Sequence, residues 1–400
     1  MIRSSARHTL ALTLLVAACG GAPEPPPPDE APASTDSAAA PAGQATAPAP
    51  GPIDAEATPE TRALLAGLRA VAGEHVLFGH QDDLAYGVEW WDEPGRSDVR
   101  DVAGAYPAVF GWEIGRLEQG QDASLDRVPF DRIRDWMVQA YEMGAINTVS
   151  WHADNPATGG DTWDTTAAVH AILPGGERHA LYRGWLDRLA EFFLSVRAPE
   201  GEAVPIIFRP FHEMSGGWFW WGAGNASPED YRSLWRFTVE YLRDVKGVHN
   251  LLYAYSTAGL GTSGEDGYWT WYPGDAYVDV LGLDDYRADV AAVSADLAWL
   301  VEQAESRQKI AAFTETGYET IPDADWWSGE LLAALTDEPA ARRVAWVLVW
   351  RNANAERDRA GHFYAPYPGH ASAESFVAFK EHPLVMFADE LPDLYQEDGP

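Results

Sequence analysis

Four hundred residues suffice for one large domain or two small ones, and a chain 46% apolar and 22% charged can bury a substantial core. Sixty-one acidic against 28 basic residues leave a formal charge of −33 and no basic patch, which argues against a nucleic-acid or anionic-membrane partner. Eighteen tryptophans are an excess: some fill the core, and others offer flat apolar faces of the kind neutral polyhydroxylated ligands stack on.

Taken in chain order, the first 55 residues are not part of a fold. Arg3 and Arg7 precede the apolar run TLALTLLVAA, too short to span a bilayer and suited to a secretory signal. It ends in VAAC, small residues directly before Cys19, the only cysteine. This resembles the bacterial lipoprotein signal, which implies removal of residues 1–18 and lipidation of Cys19. Gly20 in place of an aspartate leans towards the outer membrane, so the expected location is the bacterial envelope, lipid-anchored, or the secreted fraction. With one cysteine there is no intramolecular disulfide, and stability must come from packing. Residues 19–55, rich in proline, alanine and small polar residues, read as a semi-extended disordered tether. The folded domain is then expected over residues 56–395.

Beyond Ile53, apolar runs alternate with longer amphipathic segments. The runs are 76–80, 108–113, 146–152, 205–213, 251–256, 278–286, 310–316 and 345–352, continuous in the manner of parallel strands buried on both faces. Between them lie helical segments such as 131–144 and 228–247, the latter with Ser227 as N-cap and Pro228 at the first position. Residues 153–204 read as a long loop able to wall off one end of a cleft, and 259–267 as a loop after the fifth strand. Eight strands alternating with helices over roughly 340 residues is the arithmetic of an α/β (β/α)8 TIM barrel. A doubly wound open sheet is the competitor, weakened by the lack of a glycine-rich phosphate loop after the first strand.

Strand after strand turns polar or aromatic at its C-terminal end: His80, Glu113, His152, Glu213, Ser256, Asp284 with Tyr286, Glu315, and Trp350 with Arg351. In a barrel those ends converge on one face. A lone strand-end glutamate is ordinarily a salt-bridge partner. Glu213 on the fourth strand and Glu315 on the seventh, taken together, instead suggest paired carboxylates across a sugar ring, one acid/base and one nucleophile. The acid must start protonated, through burial or nearby negative charge, and the nucleophile must stay ionised, with Tyr286 or an arginine as donor.

The segment RPFHEMSGGWFWWG (209–222) resembles the acid/base segment of glycoside hydrolase family 26 of clan A, a family dominated by bacterial β-1,4-mannanases. FGHQDDLAYG (78–87), VSWHADNP (149–156), YPGDAYVDVLGLDDY (272–286), FTETG (313–317), VWRNA (349–353) and HFYAPYPGH (362–370) resemble further family segments, in the family's order. The resemblance implies the same barrel, with Glu213 as acid/base and Glu315 as nucleophile. It implies His212 beside the acid/base, Tyr286 donating to the nucleophile, His152 reaching the central sugar, Trp350 as its stacking floor and Arg351 contacting the next sugar on the non-reducing side. Trp218 and Trp221 are candidate walls at the cleavage point, and Asp284 and Trp163 candidates for outer subsites. Asn155 reads as a turn former before Pro156. Serine at position 215, where many members have asparagine or threonine, is a departure that bears on subsite contacts.

The implied activity is a retaining β-mannan hydrolase of the mannan endo-1,4-β-mannosidase type, acting on mannan, glucomannan or galactomannan by double displacement. Alternatives are a family relative cutting β-1,3-xylan or mixed-linkage β-glucan, and a non-catalytic surface glycan-binding lipoprotein. No metal or cofactor is expected: His80, His152 and His212 lack metal-ligand spacing, and no serine-hydrolase elbow is present. The expected partners are the polysaccharide or its oligosaccharides, and the membrane only through the lipid; a monomer is expected. Endo versus exo attack is open.

Overall fold

The computed structural model describes residues 51–260, 264–354, 356–358 and 360–396. The signal, Cys19 and most of the tether lie outside the described residues. Eight strands carry the fold: β1 (Val76–Gln81), β2 (Val109–Glu113), β3 (Ile146–Trp151), β4 (Ile206–Pro210), β5 (Leu251–Ala258), β6 (Val280–Asp284), β7 (Ile310–Thr316) and β8 (Trp346–Val349). They pair in parallel in chain order, and β1 pairs with β8 from Leu77–Trp346 to His80–Val349. That last pairing closes the sheet into a (β/α)8 barrel and rules out the open doubly wound alternative.

Two apolar layers follow from the strand period of two. Leu77, Val109, Ile207, Leu252, Val280, Ile310 and Trp346 form one cluster inside the barrel. Their neighbours Phe78, Phe110, Phe208, Tyr253, Leu281, Phe313 and Val347 pack outward under the helices. Helix α1 (Pro59–Val71) starts at Thr58, whose hydroxyl accepts from Thr61 N–H. Its Leu64, Leu65 and Leu68 join the interior cluster and plug the N-terminal mouth. The chain enters on that side: Ile53 N–H donates to Asp279, just before β6, and Thr58 N–H to the His249 carbonyl, just before β5.

Helices occupy Phe130–Glu142 and Pro228–Glu240, the second capped by Ser227 and running on as a π-turn over Tyr241–Val245. The segment read as a loop over 153–204 is shorter than expected, because His179–Ser195 is a helix. Tyr182, Trp185, Leu186, Leu189 and Phe193 fall on its buried face, so its place is under the barrel wall, not across the cleft. The expected loop at 259–267 likewise gives way to a helix over Gly264–Trp271.

Strand parity then sets the C-terminal rim. Continuing inward from Val109, Ile207, Ala254 and Val280 by steps of two leads to Glu113, Arg209, Ser256 and Asp284. On β7 the same count from Ile310 and Ala312 leads to Thr314 and would turn Glu315 outward. The register prevents this. Leu283 and Asp284 pair with Phe313 and Glu315, and Val347 and Val349 with Phe313 and Thr316, so β7 carries one extra residue against both neighbours. A bulge of this kind re-aims a side chain at a barrel rim, and here it brings Thr314 and Glu315 both to the mouth.

Gly282 in β6 makes room for that arrangement: a Cβ there would lie 2.5 Å from Thr314 Oγ1 and 2.9 Å from Ser256 Cβ. Gly282→Ala should cost about 1–3 kcal/mol through overpacking. Gly184→Ala, in an open stretch of the His179–Ser195 helix, should gain up to about 1 kcal/mol. Urea midpoints measured at constant m-value check both signs.

Candidate active site

Past the end of β4 the backbone leaves ordinary geometry. Phe211 and Glu213 have φ of 48° and 55°, the left-handed region that disfavours side-chain-bearing residues by about 1–3 kcal/mol each. Tertiary bonds hold them there: the Tyr231 hydroxyl donates to the Phe211 carbonyl, and Glu213 N–H to the Ser256 carbonyl at 3.0 Å. The Ser215 hydroxyl accepts from Ala258 N–H, tying the same turn to the end of β5. Trp218, 44% exposed, donates its indole N–H to Glu213 Oε2 at 2.7 Å. Gly216 is needed for this, since a Cβ would sit 2.3 Å from the Trp218 ring. Burial first, and then the negative charges of Glu315 and Asp284, push the Glu213 carboxyl well above the usual carboxylate range.

Glu315 lies in the opposite kind of environment. Arg209, buried in the barrel mouth, donates through Nη2 to Glu315 Oε2 at 2.5 Å and through Nη1 to Asp284 Oδ2 at 2.8 Å. The Tyr286 hydroxyl donates to the other oxygen, Glu315 Oε1, at 2.7 Å. Asp284 also accepts from Ser256 and Thr314 at 2.6 Å. Burial lifts Asp284 to about 6, against the pull of Arg209. With the guanidinium and two hydroxyls as donors, we read it as ionised at neutral pH.

A second cluster stands beside the carboxylates. Glu113 accepts from His152 Nδ1 at 2.6 Å, from the Ser150 hydroxyl, and from the backbone N–H groups of His152 and Gly115. Burial alone would lower the His152 pKa, but the Glu113 carboxylate and its hydrogen bond raise it on balance. His212, buried edge-to-face against His152 at 4.6 Å, is held well below its normal pKa by burial, Arg209 and His152, and is neutral. Phe219, Trp163 and Trp350 approach His152 with centroids at 5.3, 5.9 and 6.1 Å. The Trp163 loop is organised by Asn155, whose amide donates to the Asp164 and Thr166 carbonyls and accepts from Ala157 N–H. Arg351 pairs with Asp126 at 3.0 Å and Asp358 at 2.7 Å on one flank of the cleft.

A strand-end carboxyl held protonated faces a second carboxylate gripped by an arginine and a tyrosine, with aromatic rings around them. Residues 53–367 match the model of glycosyl hydrolase family 26. The chain belongs to this family. A mannan endo-1,4-beta-mannosidase of Bifidobacterium adolescentis is 36% identical over 351 residues, 82% of this chain. The chain spans only 34% of the length of that relative, and 60% of a Bacillus subtilis mannan endo-1,4-beta-mannosidase that is 28% identical over 243 residues, 56% of this chain. Among solved structures, a GH26 beta-mannanase from Bacteroides ovatus superposes with a TM-score of 0.80 at 43% identity, over 85% of this chain and 98% of its own.

Within this family 26 domain, Glu213, Glu315, His152, His212, Trp218, Tyr286 and Trp350 come together at the barrel mouth. Two expectations need correcting. Trp221 is not a cleft wall: it is fully buried, and its indole N–H donates to the His212 carbonyl. Asp284 does not reach an outer subsite, because its carboxylate is enclosed by Arg209, Ser256 and Thr314. Trp163, the other candidate for an outer subsite, is exposed, with its ring 5.9 Å from that of His152. Sequence reasoning left out Arg209 and Phe219, and it placed Glu113 at a strand end without pairing it to His152. Strand parity was the available signal for Arg209, and nothing in the linear pattern separates Phe219 from its aromatic neighbours.

The His152–Glu113 pair makes a titration prediction. Removing the carboxylate in Glu113→Gln takes away the main opposition to burial and leaves only the weaker pull of Glu315, so the His152 pKa should fall; imidazole NMR titration reads the shift directly. An unchanged or raised value would mean that Glu113 does not set the charge on His152.

Proposed function

We propose that this chain is a retaining β-mannan hydrolase that cleaves β-1,4-mannosidic bonds in mannan, glucomannan or galactomannan. The observation that carries the reading is the opposite electrostatic setting of two glutamates at one barrel mouth. Glu213, kept protonated, gives its proton to the glycosidic oxygen as the bond breaks. Glu315, ionised between Arg209 and Tyr286, attacks the anomeric carbon and forms a covalent glycosyl ester. Esterification removes the Glu315 charge, one of the causes that raise Glu213, so the Glu213 pKa falls. It can then act as base towards the water that releases the sugar. Trp218 keeps one Glu213 oxygen oriented through both steps. The names of the relatives, mannan endo-1,4-beta-mannosidases, supply the substrate class.

Glu315→Ala should lower turnover of an activated aryl mannoside by several orders of magnitude. Normal turnover would shift attention to Glu319, which pairs with His362 at 2.8 Å. Glu213→Ala should slow substrates with poor leaving groups by about 10²–10⁴-fold and those with good ones far less. Equal slowing of both would sink the acid/base role. Products from linear mannan, glucomannan, xylan and lichenan test the substrate, and cleavage of lichenan or xylan but not mannan would overturn it.

We also propose that the domain works from a lipid on Cys19, at the outer membrane. Ile53 and Thr58 are tied beside the starts of β6 and β5, on the face opposite the cleft. Labelled palmitate should be incorporated into the full chain, and Cys19→Ala should lose both the label and the membrane fraction. Membrane retention of that variant would exclude the anchor.

A further inference from the structure

One flank of the cleft holds more buried acid than its cations balance. Asp82, at the end of β1, is 1% exposed, and its Oδ2 accepts the Tyr86 hydroxyl at 2.7 Å. Its Oδ1 is buried with no hydrogen-bond partner among the described residues, and so is Oδ2 of Asp126. Asp126, with a side chain 3% exposed, spends its Oδ1 on Arg351. Arg351 in turn lies 5.9 Å from the Tyr86 ring, which stacks on Trp91 at 5.2 Å. Tyr86, Trp91, Asp126 and Arg351 line a recess of about 180 Å³. The charged and titratable groups facing the two aspartates are Arg351, Tyr86, Glu113, His152 and Asp358. His80 and Asp83 pair with each other on the same turn as Asp82, and Arg127 and Arg357 stand at the rim of the recess.

The two acids are not equivalent. Asp126 has a guanidinium at 3.0 Å, whereas Asp82 has one phenol and no ion pair among the described residues. A buried carboxylate with one donor and an orphan oxygen is costly, while a carboxylic acid there supplies the proton its own orphan needs. Oδ2 of Asp126 is the second buried acceptor on this flank without a donor among the described residues. We propose that Asp82 is a protonated carboxylic acid at neutral pH and a positioning residue for Arg351, keeping the guanidinium committed to Asp126 and the cleft. Burial and the neighbouring Asp126 charge both favour the neutral form. When Asp82 loses its proton, a second negative charge competes with Asp126 for the Arg351 guanidinium. The sign follows: the arrangement is intact below the raised pKa and lost as pH rises through it.

This inference rests on the mannan-hydrolase reading only for its kinetic arm. A manno-oligosaccharide long enough to reach Arg351 should show KM rising up to about tenfold per pH unit above the Asp82 pKa, with kcat following a separate profile. An aryl mannoside confined to the cleavage point should not. Asp82→Asn, permanently neutral and of the same shape, should keep the wild-type KM at neutral pH and lose the alkaline rise. An alkaline rise that persists in Asp82→Asn, or a neutral-pH KM raised tenfold in that variant, would overturn the proposal. The second readout needs no turnover: infrared difference spectra of the wild type should show a protonated-carboxyl C=O band that titrates away at alkaline pH and is missing from Asp82→Asn. Absence of that band in the wild type would overturn the proposal even if mannan is cleaved. The band without mannan cleavage would leave the proton assignment standing and fault the substrate reading alone.

Discussion

The site depends on one buried cation. Arg209 points into the barrel from β4 and is forked between Asp284 on β6 and Glu315 on β7. Burying a guanidinium costs several kcal/mol, and the cost is offset only because both carboxylates meet it with good geometry. Without it, Glu213, Asp284 and Glu315 would be three acids in one low-dielectric mouth, and proton uptake would be the cheapest relief. With it, Glu315 and Asp284 each meet a cationic donor, and the carboxyl pushed well above the usual range is that of Glu213. The same fork spans three strands, so the charge pattern and the shape of the rim are set by one interaction.

Glu213 is governed by backbone rather than by charge pairing. Two left-handed residues, Phe211 and Glu213, turn the chain back over the mouth immediately after β4. Such conformations persist when surrounding contacts over-determine them. Here the contacts are the hydroxyl of Tyr231, the carbonyl of Ser256 and the packed aromatic bed of Trp220, Trp221 and Phe219. The four aromatics after Glu213 therefore divide by depth. Trp218 alone is exposed and reaches the carboxyl, while the others form the support that keeps the strained turn in place.

Much of this was legible in the linear chain. Eight apolar runs of strand length, spaced by helical segments, lead to a closed barrel because parallel strands need helical crossovers and bury both faces. Polar strand ends lead to a site at one mouth, and Glu213 with Glu315 to acid-assisted displacement. The helix at His179–Ser195 was also legible, since Tyr182, Trp185, Leu186, Leu189 and Phe193 recur at helical spacing, but the segment was read as one loop.

What the sequence by itself determined is which groups the mouth contains, since composition and period put those side chains at strand ends. Tertiary structure decided where each one points and what it touches. By strand alternation alone Glu315 faces the helices, and a bulge in β7, visible only as a register shift against β6 and β8, turns it to the cleft. Asp284 and Trp221 look like ligand contacts in one dimension and become supports in three, because Arg209 and the His212 carbonyl occupy their polar atoms first. Alternation and charge are local properties and can be read along the chain. Register, depth and partner choice arise only when strands distant in sequence meet.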